Sequence, residues 1–540
     1  MSRLAAPLAL LLLILAATVF VRRERPDAPP APEPARASAG APRTPPPAPL
    51  AAASEPIDDL TALAGTIDRL LDRRDARPGE LVLTFKDLAA LHAFLDRAAA
   101  AGITVLDRSD ALHAVRLRLD DRQRAARELA VSADSLADVS ANLIFAAPGV
   151  PPRERRPDGT QVPFGNTALE FLDAAADRAG RGRGVTIAIL DTGVAPDPTF
   201  APARLTTLDL GLGSGPGAAP GDGHGTAVAA LAAGEGADAA GVAPGASLLS
   251  IRVTDEAGTS DIFTLSRAIV AATDAGARVI NVSLGGYGTN AALDAAIGYA
   301  SRHGTIIVAA AGNDQAARLT WPAADPRVVS VGAVDRTEQQ VTFSNSGAQL
   351  WLSAPGLGVQ TAWTAGNRVA VSGTSASAPL VSGALAALLA QNPGLTAADA
   401  ARHLAQYTSD AGPPGSDPAF GAGILNVGWA LNAANPTRID TAVAAHHFDP
   451  ATSTLSVTVQ NRSGRPVSGL TLAVNADGTT EHAIGQLAVG ESRTIAIRVS
   501  STALASGNLT IASSLRNAAG TVDAVPGNNG RTSVLVLPRR

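Results

Sequence analysis

The pattern of hydrophobic and polar residues begins with one long apolar run near the N-terminus. Residues 4–21 carry no charged side chain and are bounded by Arg3 and Arg22. The run is long for the core of a signal peptide and slightly short of the roughly 20 residues that cross a bilayer. The pattern therefore predicts a targeting segment over residues 1–25, either a cleaved signal peptide or an uncleaved membrane anchor.

The next segments alternate between linker and folded patterns. Residues 26–53 are rich in Pro and Ala, which predicts an extended linker. Over residues 54–147 the pattern predicts a small α+β domain of ferredoxin-like order. It has a helix over 87–101, strands over 80–85, 103–107 and 111–119, and a second helix before a last strand over 142–146. Residues 148–163 return to Pro, Arg and Gly and predict an exposed second linker.

The largest segment, residues 164–434, alternates short β-rich runs with helical stretches. This alternation is typical of a parallel sheet with helices on both faces, an α/β fold. Buried strands are predicted over 185–190, 248–253, 279–284, 305–310 and 328–334, and helices over 261–275 and 291–302. In residues 435–540 the helical pattern ends and apolar and polar residues alternate, which predicts an all-β sandwich.

Composition excludes several classes of function. The net charge of −5 offers no basic field for phosphates, so nucleic acid is not an expected partner. The 540 residues contain no cysteine, which excludes a disulfide framework, a thiolate metal site and a cysteine nucleophile.

Two candidate catalytic residues stand at the ends of predicted elements. Asp191 ends an apolar strand, so its carboxylate is expected at the carboxyl edge of the sheet, where α/β folds build their sites. An aspartate that caps a turn has the same pattern. His224 lies in Gly223-His224-Gly225-Thr226, before an apolar helical stretch, and its small neighbours leave room for a substrate. The alternative for His224 is a structural histidine.

Ser375 is the third candidate. It lies in Ser-Gly-Thr-Ser-Ala-Ser-Ala-Pro over residues 372–379, before an apolar run over 380–390. A nucleophile at a helix N-terminus gains from the helix dipole and from unpaired backbone N–H groups. The alternative is an N-cap serine, and Ser372 and Ser377 compete for the catalytic role.

Two further segments follow predicted strands. Asn313 closes the run Ala310-Ala311-Gly312-Asn313, and its amide is placed to donate to a developing oxyanion. The run Ser283-Leu284-Gly285-Gly286 offers a flat backbone edge with which an extended peptide can pair.

These motifs, in this order, resemble those of the subtilisin family of serine proteases. Val-Thr-Ile-Ala-Ile-Leu-Asp-Thr-Gly-Val around Asp191 matches the family's aspartate motif, and Gly-His-Gly-Thr around His224 matches its histidine motif. Gly-Thr-Ser-Ala-Ser-Ala-Pro around Ser375 matches its serine motif, and residues 241–244 and 420–426 match further landmarks. The resemblance covers residues 164–434 and implies a subtilisin-like fold.

The resemblance implies a role for each residue. Ser375 would be the nucleophile, His224 the general base and then acid, and Asp191 the group that orients the imidazole. Asn313 and the Ser375 N–H would form the oxyanion hole, and residues 283–286 and 310–312 would flank the primary specificity pocket. The substrates would be polypeptides.

The resemblance also implies how the other segments serve the enzyme. Residues 54–147 would be a propeptide that assists folding, inhibits the enzyme from within the chain and is removed by self-cleavage in the 148–163 linker. The enzyme would be exported to the periplasm, the cell envelope or the medium. The C-terminal sandwich resembles modules that bind partners or act as spacers.

The sequence departs from the family pattern at three positions, Ala376, Leu380 and Ala227, none of which removes a catalytic group. No cofactor is expected. Calcium, frequent in the family, is not supported, because the short loop 234–240 has only Glu235 and Asp238 as carboxylates. His446 and His447 lack a third candidate metal ligand and are interpreted as polar residues on the protein surface.

Three functions are compatible with these features to different degrees. An active endopeptidase requires Asp191, His224, Asn313 and Ser375, and all four are present. A catalytically inactive relative that serves as a binding or adhesion protein is the alternative, motivated by the altered residues near Ser375 and the appended sandwich. A small-ester hydrolase is disfavoured, since the chain lacks Gly-x-Ser-x-Gly around Ser375.

Overall fold

The computed structural model describes six stretches of the chain: residues 60–101, 103–119, 122–146, 161–211, 223–505 and 508–536. The predicted targeting segment and the Pro/Ala-rich linker lie outside the described residues, as does most of the linker over 148–163. All described residues belong to one unit, Ser54–Arg540.

The N-terminal layer is an antiparallel sheet with helices on one face. Its strand order is β2-β3-β1-β4, the ferredoxin-like order that the sequence predicts. Helix α1 has no counterpart in the sequence prediction. The elements are α1 (Leu60–Leu71), β1 (Ala76–Phe85), α2 (Leu88–Ala98), β2 (Ile103–Ser109), β3 (Ala114–Leu119), α3 (Arg122–Val131) and β4 (Leu136–Ala146).

Both faces of this sheet are buried. In β1, Leu81, Leu83 and Phe85 face the layer's own helices in one apolar core. Val82, which points the opposite way along the pleat, packs into a second core that belongs mainly to the following domain. The N-terminal layer is therefore fixed on that domain by its second face.

The central domain contains the predicted α/β fold. Its elements, in order, are α4 (Ala168–Phe171), β5 (Thr186–Asp191), β6 (Leu205–Leu208), α5 (His224–Ala233), β7 (Ser247–Arg252), β8 (Thr259–Asp261), α6 (Ile262–Asp274), β9 (Val279–Val282), α7 (Ala291–Arg302), β10 (Ile306–Ala310), β11 (Val329–Val334), β12 (Leu352–Pro355), β13 (Val359–Ala362), β14 (Arg368–Val371), α8 (Thr374–Gln391), α9 (Ala397–Gln406) and α10 (Val427–Asn432).

Seven of these strands form one parallel sheet of order β12-β11-β10-β9-β5-β7-β6. The sheet extends to one side of β5 through β7 and β6, and to the other side through β9 to β12. The change of direction places the topological switch point beside β5, where α/β sheets open a crevice at the carboxyl ends of their strands.

Helices cover both faces of this sheet. Residues of α5 and α8 pack on one face, and residues of α6 and α7 pack on the other. Helix α8 is apolar and long enough to cross a membrane by composition, but 89% of its residues are buried inside the fold. It is the core helix of the central domain, which explains why its sequence has no polar face.

The C-terminal domain is the predicted β-sandwich. Two antiparallel sheets, β15-β16-β19 and β18-β17-β20-β21, enclose a common core. The elements are β15 (Thr441–Asp449), β16 (Thr454–Asn461), β17 (Leu470–Asn475), β18 (Thr479–Ile484), β19 (Ser492–Arg498), α11 (Ser501–Ala505), β20 (Asn508–Arg516) and β21 (Gly530–Val536).

Buried polar contacts fix the sandwich to the central domain. The guanidinium of Arg462, 6% exposed, lies 5.4 Å from the ring centroid of Trp429 in α10. Gln460 accepts a hydrogen bond from that guanidinium and donates one to the carbonyl of Thr408. Arg438 pairs with Asp173 at 2.7 Å. The sandwich therefore packs directly on the central domain.

A loop beside α5 is organised by arginine. Arg178 donates to the carbonyls of Gly234, Glu235 and Gly241 at distances of 2.8, 2.7 and 3.2 Å. The two carboxylates of this loop are also paired, Glu235 with Arg204 and Asp238 with Arg368. A guanidinium thus occupies the point where the three main-chain oxygens converge.

His446 in β15 is not the polar surface residue that the sequence predicts. It is half-buried, and its two ring nitrogens lie 3.0 Å from Ser533 Oγ and 2.8 Å from Ser513 Oγ. Burial lowers the pKa of His446 to about 4, and the nearby charge of Arg531 acts in the same direction.

We expect Arg178→Ala to lower the free energy of unfolding of the central domain by about 2 kcal/mol, because three carbonyls lose a charged donor. Arg178→Lys should fall between wild type and alanine, since an ammonium cannot span the three oxygens as a planar guanidinium does. Urea unfolding measures the free energy of unfolding of both variants. Arg183→Ala, at an exposed position nearby, is the matched control, and an equal loss there would contradict the assignment.

We expect the sandwich to lose stability as pH falls from 6.5 towards 4. The folded pKa of His446 lies below its ordinary value of 6.5, so the unfolded chain binds the proton more readily in this window. The stabilisation that results from this pKa difference is complete above pH 6.5. Below that pH it falls by at most about 1.4 kcal/mol per pH unit. Unfolding of wild type and His446→Gln across this range should show a flatter dependence for the variant. His482→Gln controls for the loss of one histidine.

Candidate active site

Asp191 and His224 are brought together at the carboxyl edge of the parallel sheet. Asp191 is the last residue of β5 and is fully buried, and His224 is the first residue of α5. Asp191 Oδ1 lies 2.8 Å from His224 Nδ1 and also accepts a hydrogen bond from the N–H of Thr192. A carboxylate only accepts, so Nδ1 carries the hydrogen and Nε2 is the basic nitrogen.

Ser375 is the second residue of α8, after the N-cap Gly373 and Thr374. Ser375 is buried, with 7% of its surface exposed. The first N–H groups of a helix have no partner within the helix, so the N–H of Ser375 points out of the helix end. Helices α5 and α8 pack in the same core, and each carries its candidate residue at its N-terminal turn.

Gly373 is required by its conformation and by its neighbours. Its φ is +147°, and a Cβ there would lie 2.8 Å from Ser375 Oγ and 3.2 Å from Asn313 Nδ2. These two distances also show that the serine hydroxyl and the asparagine amide lie on the same side of one glycine. The structure thus brings Ser375 and Asn313 together.

The amide of Asn313 has a defined orientation. Its Oδ1 accepts from both the N–H and the Oγ1 of Thr374, each at 2.9 Å. The Nδ2 therefore points the other way, where it is buried and has no hydrogen-bond partner among the described residues. A buried donor without a partner is uncommon, and beside a serine hydroxyl it is available to a charge that develops there.

The loop that carries Asn313 is braced by Asn345. The Oδ1 of Asn345 accepts from the N–H groups of Asp314 and Ala316, and its Nδ2 donates to the carbonyl of Ala311 and to Tyr287 Oη. Burial and a hydrogen bond to Asp314 raise the pKa of Tyr287 to about 12. Tyr287 therefore stays protonated, and the brace is unaffected by pH through the neutral range.

The predicted strand over 279–284 ends earlier than expected, at Val282. The next residues, 283–286, leave the parallel sheet, and Gly286 exchanges hydrogen bonds with Trp321 on one side. On the other side, the N–H of Gly285 donates to the carbonyl of Ala146 at 3.4 Å. This backbone edge is therefore paired with the end of β4 from the N-terminal layer.

The end of β4 is held from its other side as well. Ile144, Phe145 and Ala146 pair antiparallel with Asp261, Ser260 and Thr259 of β8. The side chain of Phe145 is fully buried, and a Cβ on Gly286 would lie 2.7 Å from its ring. An extended segment of the chain thus fills a groove between β8 and residues 285–286.

Residues 310–312 form the other predicted wall. Ala310 and Ala311 are buried at the end of β10, and Gly312 donates to Thr374 Oγ1 at 3.2 Å. The wall is tied to Thr320, whose hydroxyl lies 3.3 Å from the carbonyls of Ala310 and Ala311. Small residues therefore form the strand end that is bonded to the first residue of α8.

The residues that depart from the family pattern lie behind the site. Ala376 and Leu380 are buried in the core that α5 and α8 share, and Ala227 is buried within α5. They affect packing under α5 and α8 and contribute no polar group to the site.

Sequence reasoning missed Thr374 and strand β8. Thr374 directly precedes Ser375 in a run of small residues, and that adjacency was its only sequence signal. Strand β8 spans three residues, too few for a periodic pattern. Among the residues that the structure describes, no group of three or more His, Asp or Glu is arranged to hold a metal ion.

Comparison with known proteins identifies the family of this site. The model of the subtilase family of peptidases matches residues 182–423, which include Asp191, His224, Asn313 and Ser375. Subtilisin Savinase of Lederbergia lenta is 31% identical over 273 residues, which cover 49% of this chain and 97% of that protein. An alkaline protease of Alkalihalobacillus alcalophilus is 31% identical over 273 residues, covering 49% of this chain and 68% of that protein.

A solved structure agrees at the level of the fold. Fervidolysin from Fervidobacterium pennivorans, a keratinolytic enzyme related to subtilisin, superposes with a TM-score of 0.57 at 19% identity, covering 86% of this chain and 77% of that chain. The predicted fold class, a subtilisin-like α/β domain with additional β sheets, is thereby confirmed. Since Subtilisin Savinase aligns over almost its whole length, the chain belongs to the subtilase family of serine endopeptidases.

Proposed function

We propose that this chain is an exported, self-maturing endopeptidase that hydrolyses peptide bonds through an acyl-enzyme on Ser375. The observation that carries the proposal is the pairing of buried Asp191 with His224 Nδ1 at 2.8 Å, at the same edge as Ser375 and Asn313, whose Nδ2 has no partner among the described residues. Each group has a role in acyl transfer, and no other role accounts for all of them together.

In the first half-reaction, His224 Nε2 takes the proton of Ser375 Oγ while the oxygen attacks the peptide carbonyl. Asp191 keeps the imidazole in the required tautomer and stabilises its positive charge. The oxyanion accepts hydrogen bonds from the Ser375 N–H and from Asn313 Nδ2. His224 then gives the proton to the leaving amine nitrogen, and the C–N bond breaks.

In the second half-reaction, water replaces the amine. His224 takes a proton from the water, whose oxygen attacks the acyl-enzyme carbonyl, and the proton returns to Ser375 Oγ as the ester bond breaks. The same two donors stabilise the second oxyanion. The sum is the hydrolysis of one peptide bond with the enzyme regenerated.

The substrate is an extended polypeptide. The backbone of Ser283-Leu284-Gly285-Gly286 would pair with it, in the way that Gly285 pairs with Ala146. Residues 283–286 and 310–312 would flank the primary specificity pocket. The Gly and Ala residues of these walls favour an apolar substrate residue of medium size.

The N-terminal layer would act as the chain's own inhibitor. Its last strand occupies the groove between β8 and residue 285, which a substrate would also need. Its side chains also reach the starts of two helices: Asn142 Oδ1 accepts from the N–H of Phe263, and Asp138 Oδ2 accepts from that of Ala291. A layer that caps α6 and α7 is suited to assist their folding as well as to block the groove.

Maturation would cut the chain in the linker over 148–163. Val162 and Phe164 already bond to the central domain, through Asp335 and the carbonyl of Leu357. The linker thus joins a segment in the groove to a segment fixed on the enzyme. Export would use the apolar run over 4–21, as a cleaved signal peptide or as an anchor in the membrane.

We expect Ser375→Ala to abolish both self-processing and labelling by a fluorophosphonate probe, because both require the serine oxygen as nucleophile. Intact mass of the expressed chain should show loss of the N-terminal layer in wild type and full length in the variant. Ser372→Ala and Ser377→Ala, the two competing serines, are the controls and should be processed and labelled. A folded wild type that is neither processed nor labelled would favour an inactive binding protein on a protease fold.

We expect Asn313→Ala to lower kcat about 10²–10³-fold with little change in KM, because its amide meets charge that exists only in the transition state. The magnitude is that measured for an oxyanion-hole asparagine in a subtilisin. Steady-state hydrolysis of a peptide substrate tests it. Asn475→Ala, exposed on the sandwich, is the control. A rise in KM at constant kcat would show that Asn313 binds substrate and transition state alike.

A further inference from the structure

The carbonyl of Ser375 is left without its helical partner by a proline. In an α-helix, the carbonyl of each residue accepts from the N–H four positions later. The residue four positions after Ser375 is Pro379, which lies inside α8 and has no N–H. A buried carbonyl at this place requires another donor.

That donor is the side chain of Ser283. Its Oγ donates to the carbonyl of Ser375 at 3.2 Å, and the Ser283 side chain is fully buried. Ser283 directly follows β9 and opens the backbone segment that would pair with substrate. One hydroxyl group therefore connects the substrate-binding edge to the main chain of the proposed nucleophile.

Two further buried side chains hold this hydroxyl in place. Asn281 in β9 donates from Nδ2 to Ser283 Oγ at 2.9 Å, and its Oδ1 accepts from Ser382 Oγ at 2.9 Å. Asn281 and Ser382 are both fully buried. Every donor in this series meets an acceptor, so the direction of each hydrogen bond is fixed.

This series of hydrogen bonds starts and ends on the same helix, α8. Ser382 lies seven residues after Ser375, about two turns further along α8. The path from Ser382 through Asn281 and Ser283 to the Ser375 carbonyl therefore fastens two turns of α8 to the end of β9. Neither α8 nor residue 283 can shift relative to the other without breaking a buried hydrogen bond.

We propose that Asn281, Ser283 and Ser382 are positioning residues that set the distance between the nucleophile and the substrate-binding edge. The inference rests on the proposed role of Ser375. Acyl transfer needs the serine oxygen within a few tenths of an ångström of its attack position, so a small displacement of the first turn of α8 lowers the rate. The three residues touch no reacting atom and act through the main chain of Ser375.

The test compares four variants of the full chain. Ser283→Ala removes the donor to the Ser375 carbonyl. Pro379→Ala supplies a backbone N–H at the position that would satisfy that carbonyl within the helix. The double variant combines the two changes. Ser330→Ala is the matched control, because Ser330 is a fully buried strand serine whose Oγ donates to the carbonyl of Gln349, away from α8.

Ser283→Ala should lower kcat and the second-order rate of fluorophosphonate labelling about tenfold, the effect of one lost buried hydrogen bond, with KM within about twofold of wild type. In the Pro379→Ala background, Ser283→Ala should lower the labelling rate about twofold or less, since the helix then provides the missing hydrogen bond. Asn281→Leu should also lower the second-order rate of labelling. Ser330→Ala should lower the melting temperature and leave labelling unchanged.

Two results would overturn the inference. One is that Ser283→Ala is labelled at the wild-type rate, or that its labelling rate falls no more than that of Ser330→Ala. The hydrogen bonds would then contribute to stability alone. The other is an undiminished loss in the Pro379→Ala background. Failure of the proposed function is separate, because wild type itself would then not be labelled.

Discussion

Neighbouring strands of a parallel sheet end at the same edge, and this constraint decides where the polar groups of the site lie. Strands β5, β9 and β10 are adjacent or next but one in the sheet. Asp191 ends β5, whereas Ser283 and Asn313 follow β9 and β10. The three residues are far apart in sequence but meet at that edge. The residues proposed for catalysis therefore lie at or just beyond the carboxyl ends of the strands, where the sheet opens.

The same edge is also a place for an extended peptide to bind. Residues 283–286 leave the parallel sheet and present one row of backbone groups, and the short strand β8 offers a second row. In this structure the end of β4 takes both rows. Because main-chain pairing is independent of sequence, one groove suits both a segment of the chain itself and the polypeptides that a protease cleaves. Phe145, buried against Gly286, adds side-chain contact to that pairing.

Arginine carries much of the polar organisation outside the site. Arg178 holds a loop by three carbonyls, and Arg462 and Arg438 fix the sandwich on the central domain. A planar guanidinium suits such positions because it donates several hydrogen bonds at fixed angles and keeps its charge when buried. The chain lacks cysteine, so these contacts and its apolar cores are what hold its domains together.

The sequence by itself determined the fold class, the boundaries of most buried strands and the identity of the candidate residues. The period of the apolar residues indicates which positions are buried, and the motifs around Asp191, His224 and Ser375 are each contiguous in the chain. Tertiary structure alone decided the partners of those residues. The orientation of Asn313 by Thr374, the brace by Asn345, the three-residue strand β8 and the path from Ser382 to the Ser375 carbonyl all join residues that no local pattern relates. Hydrogen bonds between distant segments leave no period in a sequence, because their geometry exists only after the chain has folded.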